Sequence, residues 1–222
     1  MKLDFSSVWQ YWPFLYHGAL TTLKITAITA VFGFLLGVLL SLIKISKCRP
    51  LVWFGNFYTS IFRGTPLLVQ LCIVHFGLPQ LTGMTLTTMQ SGVLTFSLNS
   101  AAYISEIFRG GINAIDRGQY EAAMSLGVGY RDMMKDIILP QAVKHILPSL
   151  VNEAISLLKE SSILSYIGAV ELLRAADQIT VLTFRFFEPY LVIAVIYYVL
   201  VMLLSMVASW IERWVNRSDR VL

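Results

Sequence analysis

The sequence predicts an all-α integral membrane protein with five transmembrane helices, an N-terminus outside the cell and a long cytoplasmic loop. Three observations lead to this class. Hydrophobic residues make up 56% of the 222 residues and charged residues only 14%, whereas a soluble domain carries roughly 25% charged residues. The mean hydropathy is +0.68. Apolar stretches long enough to cross a bilayer alternate with short basic segments, which is typical of a multi-pass membrane chain.

Each predicted span holds about 20 mostly apolar residues, the length that crosses the hydrocarbon core. The five spans cover 19–43, 64–80, 88–108, 145–168 and 189–211. The first ends at the basic segment 44–49, and the second and third come from a stretch, 64–105, without acidic or basic residues other than His75. The fourth carries charge near its middle, and the fifth has Pro189 in its first turn. We expect a single transmembrane domain over 1–222.

The distribution of lysine and arginine predicts the orientation, because cytoplasmic loops carry the excess. Of the 17 basic residues, eleven fall in the first loop, in the loop 109–144 and in the C-terminal tail, and three fall on the opposite side. The tail contributes Arg213, Arg217 and Arg220, while Lys2 counts for the opposite side. We therefore place the N-terminus outside and 109–144, the cytoplasmic loop, inside.

Composition and motifs exclude several classes of protein. Two cysteines, Cys48 and Cys72, are too few for a disulfide scaffold, and three histidines offer no metal cluster. The basic residues behind the net charge of +4 lie beside apolar segments, so we expect no nucleic-acid partner. The sequence contains no phosphate-binding Gly-x-x-x-x-Gly-Lys-Ser/Thr motif, no nucleophile elbow and no His-Glu-x-x-His motif. We therefore predict that the chain is not an enzyme.

The cytoplasmic loop is predicted to form two short helices. Asp116 caps the first, with Gln119 three residues on, and Gly127 closes it in the left-handed conformation. The second runs to Leu139 and stops at Pro140. Its apolar side chains recur at helical spacing and are Tyr130, Met133, Met134, Ile137 and Ile138. This stripe either enters a groove of another protein or packs on the chain's own spans or the membrane interface.

Several segments resemble the permease subunits of ABC importers. The cytoplasmic loop reproduces their EAA pattern at every position, with its fixed gaps, through Glu121, Ala122, Ala123, Gly127, Leu139 and Pro140. Segments 63–70, 97–106 and 158–162 are similar to those of the polar amino acid branch, the histidine/glutamine/arginine type. The resemblance covers nearly the whole chain.

The resemblance implies a type I ABC importer permease that spans a bacterial cytoplasmic (inner) membrane. It implies a second permease subunit, identical or homologous, two cytosolic ATPase subunits and an extracytoplasmic solute-binding protein. In that family the EAA loop is the coupling helix that sits in the ATPase groove. ATP and Mg are bound by the ATPase, so the resemblance implies no cofactor on this chain. The implied substrate is a polar amino acid.

The fourth span contains ionisable residues, which are costly in a bilayer and indicate function. Glu153 and Glu160 are seven residues apart and share one helix face, while Asn152, Ser156 and Lys159 form an adjoining stripe. The two glutamates and Lys159 sum to a charge of −1. Such an arc is complementary to a zwitterionic or cationic solute.

The second span is interrupted at its start by Gly64, Thr65 and Pro66. We expect Thr65 to be the N-cap and Pro66 the first helical residue, so that the N–H groups of Leu67 and Leu68 receive a carboxylate. Asn99 of span 3 adds a neutral hydrogen-bonding group. The predicted substrate-binding residues are Gly64, Thr65, Leu67, Leu68, Asn99, Glu153, Ser156, Lys159 and Glu160.

Other interpretations of these residues stay open. Lys159 can simply neutralise a glutamate, the break before Leu67 can only bend the chain, and Asn99 can only join two helices. A proton- or ion-coupled secondary carrier could use Glu153, Glu160 and Lys159 as a relay, although no internal repeat is visible. A non-transporting assembly subunit would use the same charges for packing alone. Neither function explains the complete EAA spacing.

Overall fold

The computed structural model describes residues 3–215, and all regular structure in that part of the chain is helical. The predicted all-α class is therefore confirmed. Lys2, Arg217 and Arg220, which entered the count of basic residues, lie outside the described residues. The helices are α1 Ser6–Trp9, α2 Trp12–Ile45, α3 Arg49–Gly64, α4 Leu67–Cys72, α5 Leu78–Thr82, α6 Thr88–Asn113, α7 Arg117–Ser125, α8 Tyr130–Asp132, α9 Leu139–Glu160, α10 Leu172–Thr183 and α11 Phe187–Val215.

Two helices among the described residues are long and apolar enough to cross a membrane, Trp12–Ile45 and Phe187–Arg213. A third span results if the bent pair α3 and Leu67–Thr82 is counted as one. Helices α6 and α9 are 26 and 22 residues long, but both are less apolar. Polar and small side chains line the buried face of α6, whereas α9 carries charged residues in half-buried or exposed positions, namely Lys144, Glu153, Lys159 and Glu160. The count of five spans and their orientation remain predictions.

The segment before the second span is helical, although the sequence predicts a loop there. Helix α3 starts with Pro50 in its first turn, where a proline fits well. Its apolar side chains form an exposed face, and the helix meets Leu67–Thr82 at an angle of 105°. The sequence does contain a signal for this helix: apolar residues recur at amphipathic spacing over 16 residues, with basic residues at both ends.

The prediction that the second loop helix stops at Pro140 is wrong. Helix α8 leads into a π-helical segment, Met133–Ile138, which leads directly into α9. A proline inside a helix removes one N–H and crowds the carbonyl four residues before it. Here Pro140 lies in the first turn of α9. The helix continues through this proline because an irregular π segment precedes it. The chain is thus helical without interruption from Tyr130 to Glu160.

Helix α6 lies at the centre and packs on α2, α3, α4 and α9. Its contact with α2 depends on small residues: Gly33 lies against Ser100, and Gly37 lies against Ile104. Gly111 of α6 receives Ile146 of α9 in the same way. Because lipid tails are as apolar as the side chains, helices in a bilayer associate by close backbone approach and tight packing rather than by a hydrophobic drive.

Three hydrophobic clusters lie among the described residues. The first joins α1, α2, α10 and α11. The second joins α2, α4, α6 and α9 around Phe96 and Leu157, and Leu67 packs against it. The third lies under the cytoplasmic loop and includes Ala123 and Ile138. The second cluster brings the start of α4 and the C-terminal end of α9 to the same region of the bundle.

Gly37→Ala should destabilise the protein, because the new Cβ would lie 2.5 Å from Ile104 Cγ2 and 3.3 Å from Ala101 O. Such overpacking costs about 1–3 kcal/mol. Gly110→Ala is the matched control, since Gly110 of α6 has nothing within 4 Å of an added Cβ; alanine there should be neutral or slightly stabilising. Thermal unfolding of detergent-purified protein measures both variants. Equal unfolding temperatures would contradict the close contact of α2 with α6.

Candidate substrate site and cytoplasmic loop

The break between α3 and α4 lies one residue later than expected. Pro66, with φ −63° and ψ 136°, is the N-cap of α4, so the predictions that Thr65 caps this helix and that Pro66 is its first residue are both wrong. Thr65 ends α3 instead, and its Oγ1 donates to Ile61 O at 2.8 Å. The hydroxyl thus donates to the preceding helix and accepts from Gln70 Nε2 of α4 at 2.9 Å, but it caps no backbone N–H of α4.

The first backbone N–H groups of α4 face the break. Val69 N and Gln70 N donate to Pro66 O at 3.0 and 3.2 Å, so the N–H groups of Leu67 and Leu68 precede the first bonds of this helix. Gly64, beside them, is exposed and has nothing within 4 Å of a Cβ position. The backbone here can be approached closely by another molecule.

A pair of buried amides holds the break in shape. Gln70 Nε2 donates to Phe62 O at 2.9 Å and to Thr65 O at 3.1 Å. Asn99 Nδ2 donates to Phe62 O at 3.0 Å and to Gln70 Oε1 at 2.9 Å. These amides satisfy carbonyls that the end of α3 leaves without helical partners, as an apolar solvent requires. Asn99, a predicted ligand, is thus engaged in the break.

Gln70 was missed by the sequence reasoning. A signal for it exists, because it is the one uncharged polar residue in the apolar run 67–74 and lies one turn after Pro66. A polar amide in an apolar run next to a helix break indicates that freed backbone groups need partners.

The carboxylate of Glu153 is held by the α6 residue that follows Asn99. Ser100 Oγ donates to Glu153 Oε1 at 2.6 Å, and Ser100 is fully buried against Gly33 of α2. Consecutive residues of α6 therefore contact the break and the carboxylate, which brings these two predicted parts of the site to one level of the bundle. Ser100 was not predicted.

Ser156 and Glu160 continue the half-buried side of α9 that begins with Glu153. Lys159 is not brought into this group. It is exposed and lines a separate cleft of about 320 Å³ whose other walls include Tyr190 and Tyr197 of α11. The face with Glu153 and Glu160 therefore carries two carboxylates, while the Lys159 side chain lies off this face and acts only on the charge of the adjacent Glu160.

The cytoplasmic loop folds as its local chemistry predicts. Asp116 caps α7, although its Oδ1 accepts from Gly118 N at 2.6 Å rather than from Gln119. Gly127 follows α7 with φ +74°, which confirms the left-handed conformation. Of the other EAA residues, Glu121 and Ala122 are exposed on α7, and Ala123 is buried beneath it.

The sequence left two interpretations of the apolar stripe in the loop, packing on the chain's own helices or entry into a groove of another protein, and its residues differ in which one they fit. Met133 and Ile138 are buried in the third hydrophobic cluster, where Met134 and Ile137 pack on them, so this part covers the chain's own helices. The exposed apolar surface consists instead of Met124, Leu126 and Tyr130, with Leu126 82% exposed. Leu139 and Pro140 are exposed at the start of α9.

Comparison with known proteins gives a consistent result. Residues 31–218 match the family described as "Binding-protein-dependent transport system inner membrane component". The chain is 51% identical over 219 residues to the arginine transport system permease protein ArtQ of Bacillus subtilis, covering 99% of this chain and 100% of that protein. It is 50% identical over 200 residues to a putative glutamine transport system permease protein GlnP of Rickettsia felis, covering 90% and 92%.

A solved structure shares both sequence and fold with the chain. It is the crystal structure of an amino acid ABC transporter with histidines, 45% identical, with a TM-score of 0.91. The match covers 96% of this chain and 99% of that one. The arrangement of helices around the break and α9 is therefore shared with a transporter.

Gln70→Leu should destabilise the break, since it keeps the side-chain volume but leaves Phe62 O with fewer donors and Thr65 O without one. A buried polar group without its partner costs about 1–3 kcal/mol. Gln80→Leu is the matched control, an exposed glutamine farther along the same broken segment. Thermal unfolding of the detergent-purified protein compares the two variants. An equal loss of unfolding temperature in both would count against the role of Gln70 at the break.

Proposed function

The chain belongs to the binding-protein-dependent transport system inner membrane components, the permease subunits of ABC importers, and we propose that it carries a polar amino acid with a cationic side chain. As a permease subunit it is not itself an enzyme. Family membership leaves the proton- or ion-coupled carrier and the non-transporting assembly subunit without support.

The observation that carries the proposal is the Glu153 carboxylate held by Ser100 at the level of the helix break. Glu160 lies on the same side of α9, and Lys159 lies off it. Lys159 is still close enough to act on the charge of Glu160, so the two carboxylates and this lysine keep a net charge of −1. This excess negative charge favours a cationic group near Glu153, because opposite charges attract strongly where water is scarce. In the proposed site, Glu153 and Glu160 receive the substrate's side-chain cation, and Ser156 contributes a hydroxyl.

The other end of the substrate is proposed to lie at the break. The N–H groups of Leu67 and Leu68, at the start of α4, are suited to an α-carboxylate. Gly64 and Thr65 line the approach, where the absence of a side chain at Gly64 leaves room. Asn99 acts indirectly, by holding the backbone that presents these groups.

The relatives support this substrate class. One full-length relative is named an arginine transport system permease protein. The solved relative is described as an amino acid ABC transporter crystallised with histidines. The second candidate substrate is glutamine, because another relative is named a putative glutamine transport system permease protein. A glutamine amide also donates hydrogen bonds to carboxylates, but it gains less than a cation from the two negative charges.

We propose the partners that such a permease needs. A second permease subunit, identical or homologous, completes the pathway, and an extracytoplasmic solute-binding protein delivers the amino acid. Two cytosolic ATPase subunits bind ATP and Mg. The exposed surface of Met124, Leu126 and Tyr130, beside Glu121 and Ala122, is the part of this chain proposed to enter the ATPase groove.

Glu153→Gln should lower uptake of arginine and lysine relative to glutamine by about tenfold, since a charge-assisted contact of about 1.5 kcal/mol or more is lost. The measurement is uptake of labelled amino acids into proteoliposomes that hold the whole complex, with the solute-binding protein outside and ATP inside. Glu212→Gln, the same substitution on α11 outside the proposed site, should leave the ratio unchanged. An unchanged ratio in Glu153→Gln would remove the proposed site but not the permease.

Gly127→Val should abolish coupling while the chain still assembles with its partners. A β-branched residue at φ +74° is strained by about 1–2 kcal/mol, so the turn after α7 must change shape and move the exposed EAA residues. The assay is uptake by the reconstituted complex with and without ATP, together with a pull-down of the ATPase. Gly110→Ala, a nearby glycine with an ordinary backbone, should transport normally. Full ATP-driven uptake by Gly127→Val would contradict the proposed role of the loop.

A further inference from the structure

A cluster of charged side chains lies outside the proposed substrate site, where α2, α3 and α6 meet. Glu106 of α6 accepts from Lys44 of α2 through Oε1, and from Arg109 through Oε2 at 2.5 Å. Arg63 Nη1, from the last turn of α3, lies 3.5 Å from the same Oε2. Three cations thus surround one carboxylate, and the cluster has a net charge of +2.

The excess positive charge borders an open cleft. The cleft measures about 690 Å³, and Asn56 and Ser60 of α3 line it together with the four charged residues. Gly64 also lines it, so the cleft borders the proposed substrate site. Among the described residues that line it, Glu106 is the one acid. The guanidinium side chains of Arg63 and Arg109 are 43% and 54% exposed. They therefore present donors to the cleft beyond those used on Glu106.

The position of α3 indicates which anion reaches the cleft. The exposed face of this amphipathic helix carries Trp53, Phe54 and Phe57, and the rings of Trp53 and Phe57 stack at 5.5 Å. A helix with a basic polar side and an aromatic apolar side lies in the membrane interface, where tryptophan is enriched. On the predicted topology this interface is the cytoplasmic one, at which the negative lipids attract basic residues.

We propose that this cleft binds the phosphate group of an anionic phospholipid of the inner leaflet. Arg63 and Arg109 contact the phosphate, Asn56 and Ser60 bond the headgroup, and Glu106 holds the cations in place. The acyl chains run along the aromatic face of α3. A lipid bound here also supports the start of the broken span, because Arg63 immediately precedes Gly64.

The test is lipid binding to the delipidated complex of permease and ATPase in detergent. Native mass spectrometry counts the dioleoyl phosphatidylglycerol and dioleoyl phosphatidylcholine molecules that remain bound during titration. The wild type should retain phosphatidylglycerol in preference to phosphatidylcholine. Arg63→Gln and Arg109→Gln should each weaken phosphatidylglycerol binding about fivefold, the effect of one cation near a membrane surface. Lys135→Gln, an exposed lysine of the cytoplasmic loop, should bind like the wild type.

A second pair of substitutions distinguishes a loss of lipid binding from a loss of folding. Should loss of an arginine lower the unfolding temperature without lipid, Asn56→Ala combined with Ser60→Ala tests the cleft without touching an ion pair and should also weaken phosphatidylglycerol binding. Equal binding by the wild type and these variants overturns the proposal. Inorganic phosphate separates the two sources of this chemistry: the lipid site is overturned if phosphate alone displaces phosphatidylglycerol at equal concentration.

Discussion

The need to satisfy every backbone polar group in an apolar solvent governs the centre of this protein. A helix that breaks away from bulk water leaves carbonyls at one side of the break and N–H groups at the other. Here the carbonyls of Phe62 and Thr65 are bonded by the amides of Gln70 and Asn99. Because the carbonyl side is satisfied within the chain, the N–H side of the break stays available to a ligand.

The same constraint positions the acidic part of the site. Asn99 and Ser100 are neighbours on α6, so the helix that holds the break also holds Glu153. That helix is fixed by α2, whose Gly33 admits Ser100 and whose Gly37 admits Ile104. Small residues on α2 thus determine how far the carboxylate lies from the break, although none of them is polar enough to attract notice as a site residue.

Local chemistry made part of this structure predictable from sequence. Asp116 and Gly127 were predicted correctly because a cap and a left-handed glycine depend on a few adjacent residues. The course of the helix at Pro140 was not, since a π segment can carry a helix past a proline. Thr65 was misplaced for a related reason, because its hydroxyl had an equally good partner behind it.

Long-range placement was the harder part of the candidate site. Helical periodicity correctly joined Glu153 with Glu160, but it could not show that Lys159 turns toward α11. Gln70 could have been found from its place in an apolar run beside the break, but Ser100 carries no such signal, and its contact with Glu153 becomes visible only once α6 and α9 are packed together. The contact of Glu106 with residues of two other helices was likewise invisible along one chain.

The uninterrupted helix from Tyr130 to Glu160 has a mechanical consequence. At 1.5 Å per residue, Glu153 lies about 35 Å from Tyr130 along the same rod. A tilt of about 5° pivoting at the cytoplasmic end displaces the carboxylate by about 3 Å, the length of one hydrogen bond. The π segment Met133–Ile138 and Pro148 are the two points at which this helix can bend. Where both stay rigid, a small rotation of the loop is amplified into the making or breaking of the Ser100–Glu153 contact.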